Sequence, residues 1–156
     1  ALGAHRQNSL VLCDASGQVQ RFVFRDFGGI RIHEPSLRAA GCDLEIHPDR
    51  LTVVDDWRSV RGKLTAHGLH RHLGLLISRL SQHLAVDEGP FWSEASRLAR
   101  GILVDMRGEI PEETWRREST ALLEEDWEFK ANLRMRIADQ AKDVYVTIAN
   151  PLRRSP

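Results

Sequence analysis

Two groups of polar side chains near the start of the sequence have types and spacing that could do chemistry. They are His5, Gln7 and Asn8 on one side of a short apolar segment, and Arg25 and Asp26 on the other. An amide oxygen and a carboxylate brought side by side can hold Mg²⁺, which takes one or two protein carboxylates together with phosphate oxygens. Asn8 and Asp26 therefore predict a magnesium site, if the segment between them folds back on itself.

That segment has the pattern of a β-hairpin. Ser9–Cys13 is short and apolar, residues 14–17 favour a turn, and residues 18–25 alternate between apolar and polar. A hairpin returns the chain to the edge where it started, so it brings Asn8 close to residues 26–29. The two glycines at the end of that stretch allow a sharp turn or a close approach to a phosphate.

Protein kinases use a similar pair of metal ligands, a loop Asn and the Asp of Asp-Phe-Gly. Their catalytic loop also has an Asp after His-Arg that takes the substrate hydroxyl proton, whereas Gln7 here cannot act as a base. Transfer of a phosphoryl group to an alcohol is therefore disfavoured. Attack of a carboxylate on an α-phosphate needs no base, but it does need cations to offset the negative charge. The cations available are His5, Arg25, Lys130, Arg134 and Arg136.

The other elements predict an α+β fold with an N-terminal β-hairpin, a central helical bundle and a C-terminal two-stranded segment. Helices are expected near residues 36–40, 57–85, 91–107 and 112–118, and a further short strand near 30–32. The longest helix carries an apolar stripe of Leu69, Leu73, Leu76, Leu80 and Leu84. Gly62, Gly68 and Gly74 weaken that helix locally or break it in two. Its histidines, His67, His70, His72 and His83, are interpreted as packing or surface residues, and the four tryptophans as core or interface.

Near the C-terminus the alternation returns. Residues 130–137 fit a strand with Lys130, Arg134 and Arg136 on one face, and residues 144–148 are its expected partner. Residues 109–128 hold eight acids and two bases, whereas residues 129–156 hold six bases and two acids. The net charge of zero therefore conceals a basic C-terminal segment.

Composition excludes several classes of protein. The 22 basic and 22 acidic residues argue against a nucleic-acid binder, which needs clustered cationic charge. No uncharged run reaches the roughly 18 residues of a membrane helix, and no secretory signal pattern opens the chain. We therefore expect neither a nucleic-acid nor a membrane partner. Cys13 and Cys42 match no zinc or iron–sulfur spacing and are interpreted as buried, reduced thiols of a cytoplasmic protein.

Three separated motifs resemble, in order, the C-terminal part of the siderophore synthetases that act independently of nonribosomal peptide synthetases, such as the aerobactin synthetases. They are Ala-His-Arg-Gln-Asn at 4–8 with Phe-Arg-Asp-Phe-Gly-Gly at 24–29, Lys-Ala-Asn-Leu-Arg-Met-Arg at 130–136, and Asn-Pro-Leu at 150–152. This region is also described as ferric iron reductase-like. The resemblance implies the C-terminal half of a larger kinase-like, palm-type architecture.

The resemblance further implies an ATP- and Mg²⁺-dependent ligase. Such enzymes adenylate a carboxylate of citrate or of a dicarboxylic-acid derivative and condense it with an amine or a hydroxyl. Matching positions imply His5 and Lys130 as catalytic residues and Asp26 with Asn8 as metal ligands. The expected nucleotide-binding set is Gln7, Asn8, Arg25, Arg134 and Arg136. A cytoplasmic homodimer is expected of the full-length protein.

Some features depart from the resemblance or leave alternatives open. The family often has Glu two residues before the motif His and Gly directly after it, whereas Gly3 and Arg6 stand here. Its ATP-gripping segment lies upstream and the first motif begins at residue 4, so we expect residues 1–156 to be a single C-terminal domain or fragment of a longer synthetase. Three alternatives remain: a ferric-siderophore reductase, which the lack of Cys after Cys42 disfavours, a kinase-like phosphotransferase, and an inactive interaction module.

Overall fold

The computed structural model describes residues 8–25, 29–42, 52–139 and 144–153, without the side chains of Lys130 and Asn132. The predictions on His5, Gln7 and Asp26 therefore lie outside the described residues. The chain divides into two compact units, residues 1–73 and 74–156, and each is described by itself. The chain is α+β, as the sequence predicts, with helices between small two-stranded sheets.

The first unit opens with the expected hairpin. Strands β1 (Ser9–Cys13) and β2 (Val19–Phe24) pair antiparallel, with Ser9 opposite Phe24. The turn between them is held by the Asp14 carboxylate, which accepts the amide hydrogens of Ser16 at 2.9 Å and Gln18 at 3.0 Å. Gly17 has a φ of 83°, a left-handed conformation that favours glycine.

This hairpin is apolar on both of its faces. Seven of its apolar side chains, Leu10, Val11, Leu12, Val19, Phe22, Val23 and Phe24, are between 42% and 61% exposed. Neighbouring residues of a strand point to opposite faces, so both faces of the hairpin carry apolar side chains. Such a pattern is typical of strands that are packed on both faces. Cys13, at the end of β1, and Cys42 are both free and exposed, so the predicted burial of these thiols is wrong. Each lies where the chain leaves a regular element, at the surface.

A second, parallel pair of strands follows. Strand β3 (Ile32–His33) pairs with β4 (Val53–Val54), and helix α1 (Glu34–Ala39) begins directly after β3. Helix α2 (Trp57–Lys63) begins two residues after β4 and is capped by Asp56, whose carboxylate accepts the Ser59 amide hydrogen at 2.8 Å.

Residues 57–84 are helical, close to the predicted range of 57–85, but the backbone hydrogen-bonding pattern changes along this stretch. After α2, residues Leu64–Gly74 form a π-helix, and α3 (Leu75–Leu84) follows without an interruption. A π-helix bonds residue i to i+5, so each of its turns takes more residues than an α-helical turn. Three members of the predicted stripe, Leu76, Leu80 and Leu84, are exposed, while Ile77 is the buried residue of α3. The expected break at the glycines is therefore a widened turn.

In the second unit, helices α4 (Gly89–Asp105) and α5 (Glu112–Leu123) pack against each other. The buried apolar side chains in the described part of this unit are Ile77, Trp92, Ala121, Leu123, Trp127 and Leu152. Trp92 is 8% exposed and Trp127 2%, which confirms the core interpretation for two of the four tryptophans. The Ser96 hydroxyl on α4 donates to the Leu152 carbonyl at 2.8 Å and joins the helix to the end of the chain. Within the described residues, no helix is long and apolar enough to cross a membrane.

The C-terminal two-stranded segment is present, but its first strand lies earlier than predicted. Strand β5 (Trp127–Lys130) pairs antiparallel with β6 (Tyr145–Ile148), with Lys130 opposite Tyr145. The predicted strand over residues 130–137 is wrong, because Asn132–Ile137 forms helix α6. Leu, Arg and Met, which fill most of this stretch, are good helix formers, and this preference outweighs a short alternation. A 3₁₀ turn, Pro151–Arg153, ends the described chain.

Candidate functional site

The hairpin brings its two ends together at the first candidate residues. The Arg25 amide donates to the Asn8 carbonyl at 3.0 Å, so Asn8 and Arg25 lie side by side where the chain enters β1 and leaves β2. Asn8 is only 6% exposed, whereas Arg25 is exposed. The hairpin pattern predicts that Asn8 lies near Asp26, and Asp26, the next residue in the sequence, lies outside the described residues.

The two side chains have complementary chemistry. A buried amide needs hydrogen-bond partners, and Asn8 does interact within the chain. Its oxygen is the kind of hard donor that Mg²⁺ prefers, and its nitrogen can donate to a phosphate or carboxylate. The Arg25 guanidinium can bind either anion through two parallel hydrogen bonds. These are the types of side chain that an anionic substrate or a metal ion would need.

One approach between distant parts of the first unit is missed by the sequence patterns. The Lys63 Nζ, at the end of α2, lies 3.9 Å from the position that a Cβ on Gly29 would occupy. The sequence separation of 34 residues hides this approach, because no local pattern links a helix end to a glycine so far upstream. The only feature of the sequence that distinguishes Lys63 is its residue type, since it is one of three lysines among 22 basic residues.

Helix α2 is held in place at its other end. The Trp57 ring stacks on the His33 ring, with centroids 4.2 Å apart and an interplanar angle of 26°. The His33 Nδ1 lies 2.8 Å from the Ser36 hydroxyl oxygen. Burial raises the pKa of Asp56, but hydrogen bonds from the Ser59 amide and hydroxyl outweigh it and hold the pKa below its ordinary value. The cap therefore stays ionised and oriented at neutral pH.

The C-terminal candidates are arranged differently from the prediction. Lys130 ends β5, and its side chain lies outside the described part of the structure. Arg134 and Arg136 are exposed on α6, where two residues of separation place them about 200° apart around the helix axis. The predicted single cationic strand face is therefore wrong. These residues belong to the second unit, whereas Asn8 and Arg25 belong to the first.

The histidines of the long helical stretch form no metal centre with other ligands in the ranges described: no group of three or more His, Cys, Asp or Glu side chains is placed to hold an ion there. Burial, followed by the nearby Arg71 charge, holds the pKa of His70 below its ordinary value. The His72 Nδ1 is buried without a hydrogen-bond partner in the described chain.

Comparison with known proteins identifies the family. Residues 1–144 match the family described as ferric iron reductase FhuF-like transporter. The chain belongs to this family. Since the match covers nearly the whole sequence, it includes both the hairpin site and the C-terminal candidates Lys130, Arg134 and Arg136.

The chain is also similar to three individual proteins, two of which are named siderophore synthetase or siderophore synthetase-like protein. The NRPS-independent siderophore synthetase rfs of Rhizopus delemar is 40% identical over 86 residues, which cover 53% of this chain and 13% of that protein. The NRPS-independent siderophore synthetase-like protein ankE of Aspergillus thermomutatus is 27% identical over 90% of this chain and 22% of its own. The uncharacterized protein y4xN of Sinorhizobium fredii is 27% identical over 97% of this chain and 25% of its own. The resemblance to siderophore synthetases is thereby confirmed, and the chain spans a quarter or less of these relatives.

Proposed function

We propose that the protein carrying this chain is an ATP- and Mg²⁺-dependent ligase of siderophore biosynthesis. The observation that carries the proposal is the hairpin that sets Asn8 beside Arg25, within a chain whose relatives are named siderophore synthetases. The proposed substrates are a citrate-like carboxylate, ATP, and an amine or alcohol. The proposed active form is a cytoplasmic homodimer of the full-length protein.

The proposed reaction has two steps. A carboxylate oxygen attacks the α-phosphorus of ATP, the bond to the bridging oxygen breaks, and pyrophosphate leaves. The amine or hydroxyl then attacks the acyl carbon, loses its proton to solvent or a base, and displaces AMP. The first step brings a carboxylate against a polyanion, so cations must offset the repulsion. Arg25, at the hairpin end, is proposed to supply one of these cations, and His5 is proposed to act beside it.

The chemistry of the donor set fits magnesium. The amide oxygen of Asn8 and the carboxylate of Asp26 are both hard oxygen donors, and few protein ligands suffice because Mg²⁺ keeps waters and phosphate oxygens. When bound, the ion would neutralise phosphate charge. Gln7 and Asn8 are proposed to donate hydrogen bonds to the nucleotide. In the second unit, Lys130 is proposed to hold the carboxylate substrate, and Arg134 and Arg136 to contribute positive charge.

The test is carboxylate-dependent exchange of labelled pyrophosphate into ATP by the protein carrying this chain. His5→Ala and Asp26→Ala should each reduce exchange by about 10²-fold or more, the usual effect of removing an electrostatic or acid–base contribution. His83→Ala and Asp55→Ala are matched controls, since both residues are exposed, and should leave exchange within about twofold. Unchanged exchange in both test variants would overturn the site, and release of ADP instead of AMP would favour a kinase.

The family description favours a second candidate, a ferric iron reductase. A cluster-based reductase needs four thiolate ligands, or two with two histidines, and this chain supplies Cys13 and Cys42 only. Both are exposed in the first unit, one at the end of β1 and one after α1. Within the described residues no group of three or more His, Cys, Asp or Glu side chains is placed to hold a metal, so ligands from other parts of the protein would have to complete a cluster. Ferric-siderophore reduction that persists while pyrophosphate exchange is absent would support this candidate over the ligase.

A further inference from the structure

The two faces of the β1–β2 hairpin are apolar in equal measure. Residues opposite each other in an antiparallel pair lie on the same face. The register places Val11 opposite Phe22, and Leu10 opposite Val23 on the other face. Each face therefore holds three large apolar side chains that are about half exposed: Val11, Phe22 and Phe24 on one, and Leu10, Leu12 and Val23 on the other. Neither face has the polar side chains of a surface that is meant for water.

The outer edge of β1 is suited to another strand. The Arg25 amide donates to the Asn8 carbonyl, and backbone groups that point across the pair alternate from there, so those of Val11 point away from β2. Within the described residues, β1 and β2 pair only with each other. Natural edge strands are protected by charged residues, by Pro or by bulges. Strand β1 has no charge and no Pro, and its register shift lies at its last residue, beside the turn.

The turn end of the hairpin has the opposite character. The Asp14 carboxylate accepts hydrogen bonds from the Ser16 amide, the Gln18 amide and the Gln20 side chain, and all of these residues are exposed. Polar turn residues that satisfy each other need no cover from other protein. The hairpin therefore has a turn suited to water, and two faces and one edge suited to burial.

Covering two faces and an edge takes more than one contact. A two-fold dimer uses the same patch on both copies, so a second copy seated on one of these surfaces leaves the others in water. The remainder of a longer polypeptide has no such restriction. The matched regions make up 22% of ankE and 25% of y4xN, so at least three-quarters of each of these relatives lies outside the match. An occupant from the same polypeptide therefore fits the hairpin better than a second copy does.

We propose that the hairpin is an interior part of a larger sheet, in which a further strand pairs with the β1 edge and apolar elements cover both faces. The occupant is the polypeptide outside residues 1–156 of the protein that carries this chain. The juxtaposition of Asn8 and Arg25 then depends on that segment, because it covers the strands that hold the two residues together. This inference goes beyond the proposed function and does not rest on the ligase reaction.

The edge is tested by hydrogen exchange of the wild-type protein that carries this chain, resolved to single residues by mass spectrometry with electron-transfer fragmentation. The Leu10 amide, which points toward β2, is the reference for the hairpin itself. The Val11 amide should be protected to within about tenfold of it, because the added strand accepts its hydrogen bond. A Val11 amide that exchanges faster than that would overturn the proposal.

The faces are tested by thiol labelling of the same protein, with one variant for each face. Val11→Cys and Val23→Cys should react with N-ethylmaleimide at least about tenfold more slowly than Gln18→Cys at the exposed turn, because a covered thiol reacts only after local opening. Mass spectrometry reads each site separately from the native thiols. A smaller difference on either face would overturn the proposal. If a variant fails to fold, Phe22→Cys and Leu10→Cys report the same two faces.

The occupant is identified by replacing Phe22 with p-benzoylphenylalanine and cross-linking the protein with light. The product should run at the mass of one chain on a denaturing gel and join position 22 to a peptide outside residues 1–156. A product at the mass of two chains, a partner within residues 1–156 or no cross-link would each overturn the proposal. Pyrophosphate exchange is a separate readout. A covered hairpin without exchange leaves this inference standing and not the ligase, and normal exchange with an uncovered hairpin does the reverse.

Discussion

The Asn150 side chain forms hydrogen bonds with three backbone groups of the second unit, so we expect its replacement to lower the free energy of unfolding. The side-chain nitrogen donates to the carbonyls of Leu122 at 2.9 Å, in the last turn of α5, and of Glu125 at 2.8 Å, just after that helix. The side-chain oxygen accepts the Leu152 amide hydrogen at 2.9 Å. Asn150 is 4% exposed, so water cannot readily replace these partners. The Asn-Pro-Leu motif, noticed only as a resemblance, therefore has a structural role.

The expected magnitude follows from what each partner loses in Asn150→Ala. Three hydrogen bonds at about 1 kcal/mol each give about 3 kcal/mol. The Leu122 carbonyl keeps a donor, the indole nitrogen of Trp127 at 3.2 Å, so its loss is small. The Leu152 amide is buried and keeps no acceptor, which adds to the loss. We expect the free energy of unfolding to fall by about 3 kcal/mol.

The assay is urea denaturation followed by tryptophan fluorescence, together with hydrogen exchange of the Leu152 amide, which should lose its protection. Asn150→Asp is the sharper variant, because an ionised carboxylate keeps the acceptor for Leu152 but faces two carbonyls without a donor. It should be at least as destabilising at neutral pH and recover as the pH falls, when the protonated carboxyl can donate. Thr147→Ala, at an exposed position of β6, is the control and should cost less than about 0.5 kcal/mol. A loss below about 1 kcal/mol in Asn150→Ala would refute the reasoning.

Three further predictions concern the core, the α2 cap and two glycines. Trp127→Ala should lower the free energy of unfolding of the 156-residue chain, measured by urea denaturation, by about 3–5 kcal/mol because the Trp127 ring is buried. Phe22 is 61% exposed, so Phe22→Ala should lower it by less than about 1 kcal/mol. Similar losses in the two variants would contradict the burial pattern. Asp56→Ala should cost about 1 kcal/mol and Asp56→Asn much less. The pKa of Asp56 in the folded protein lies below its ordinary 3.8, so the stability that the cap contributes is fully present above pH 3.8 and is lost as the pH falls through the lower, folded value. If the acid titration of the wild type matched that of Asp56→Asn, this prediction would be contradicted. Gly17→Ala should destabilise the hairpin by about 1 kcal/mol because of its positive φ, while Gly62→Ala, with open space around its Cβ position, should stabilise α2; thermal melting that shows the opposite order would refute both.

The parts of the fold that local chemistry decides are predictable from the sequence. The bounds of β1 match the prediction, and β2 differs by one residue at each end, because the turn between them depends on local residues such as Asp14 and Gly17. Helices α4 and α5 are also found near their expected places, with Pro90 and Pro111 at their starts. The pairing of Asn8 with Arg25 follows from the same hairpin.

The predictions that were wrong concern segments where local conformational preference competes with packing against distant parts of the chain. The apolar alternation over residues 130–137 is compatible with a strand, but only β5 up to Lys130 finds a partner in β6. The remainder, Asn132–Ile137, forms a helix through its own hydrogen bonds, such as that from the Met135 amide to the Ala131 carbonyl at 3.0 Å. The π-helix and the approach of Lys63 to Gly29 likewise involve geometry that a periodic pattern does not contain.

The exposure of the hairpin bears on how its site must be studied. A two-stranded hairpin is marginally stable by itself, and this one leaves apolar side chains of both faces partly in water. Asn8 and Arg25 owe their juxtaposition to the pairing of β1 with β2, so any fraying of the hairpin separates them. The chain spans 13–25% of the relatives it matches, so assays on these 156 residues alone would measure hairpin stability together with ligand affinity. For that reason the kinetic and labelling tests above use the protein that carries the chain, and hydrogen exchange of the β1 and β2 amides should accompany them as an independent measure of hairpin order.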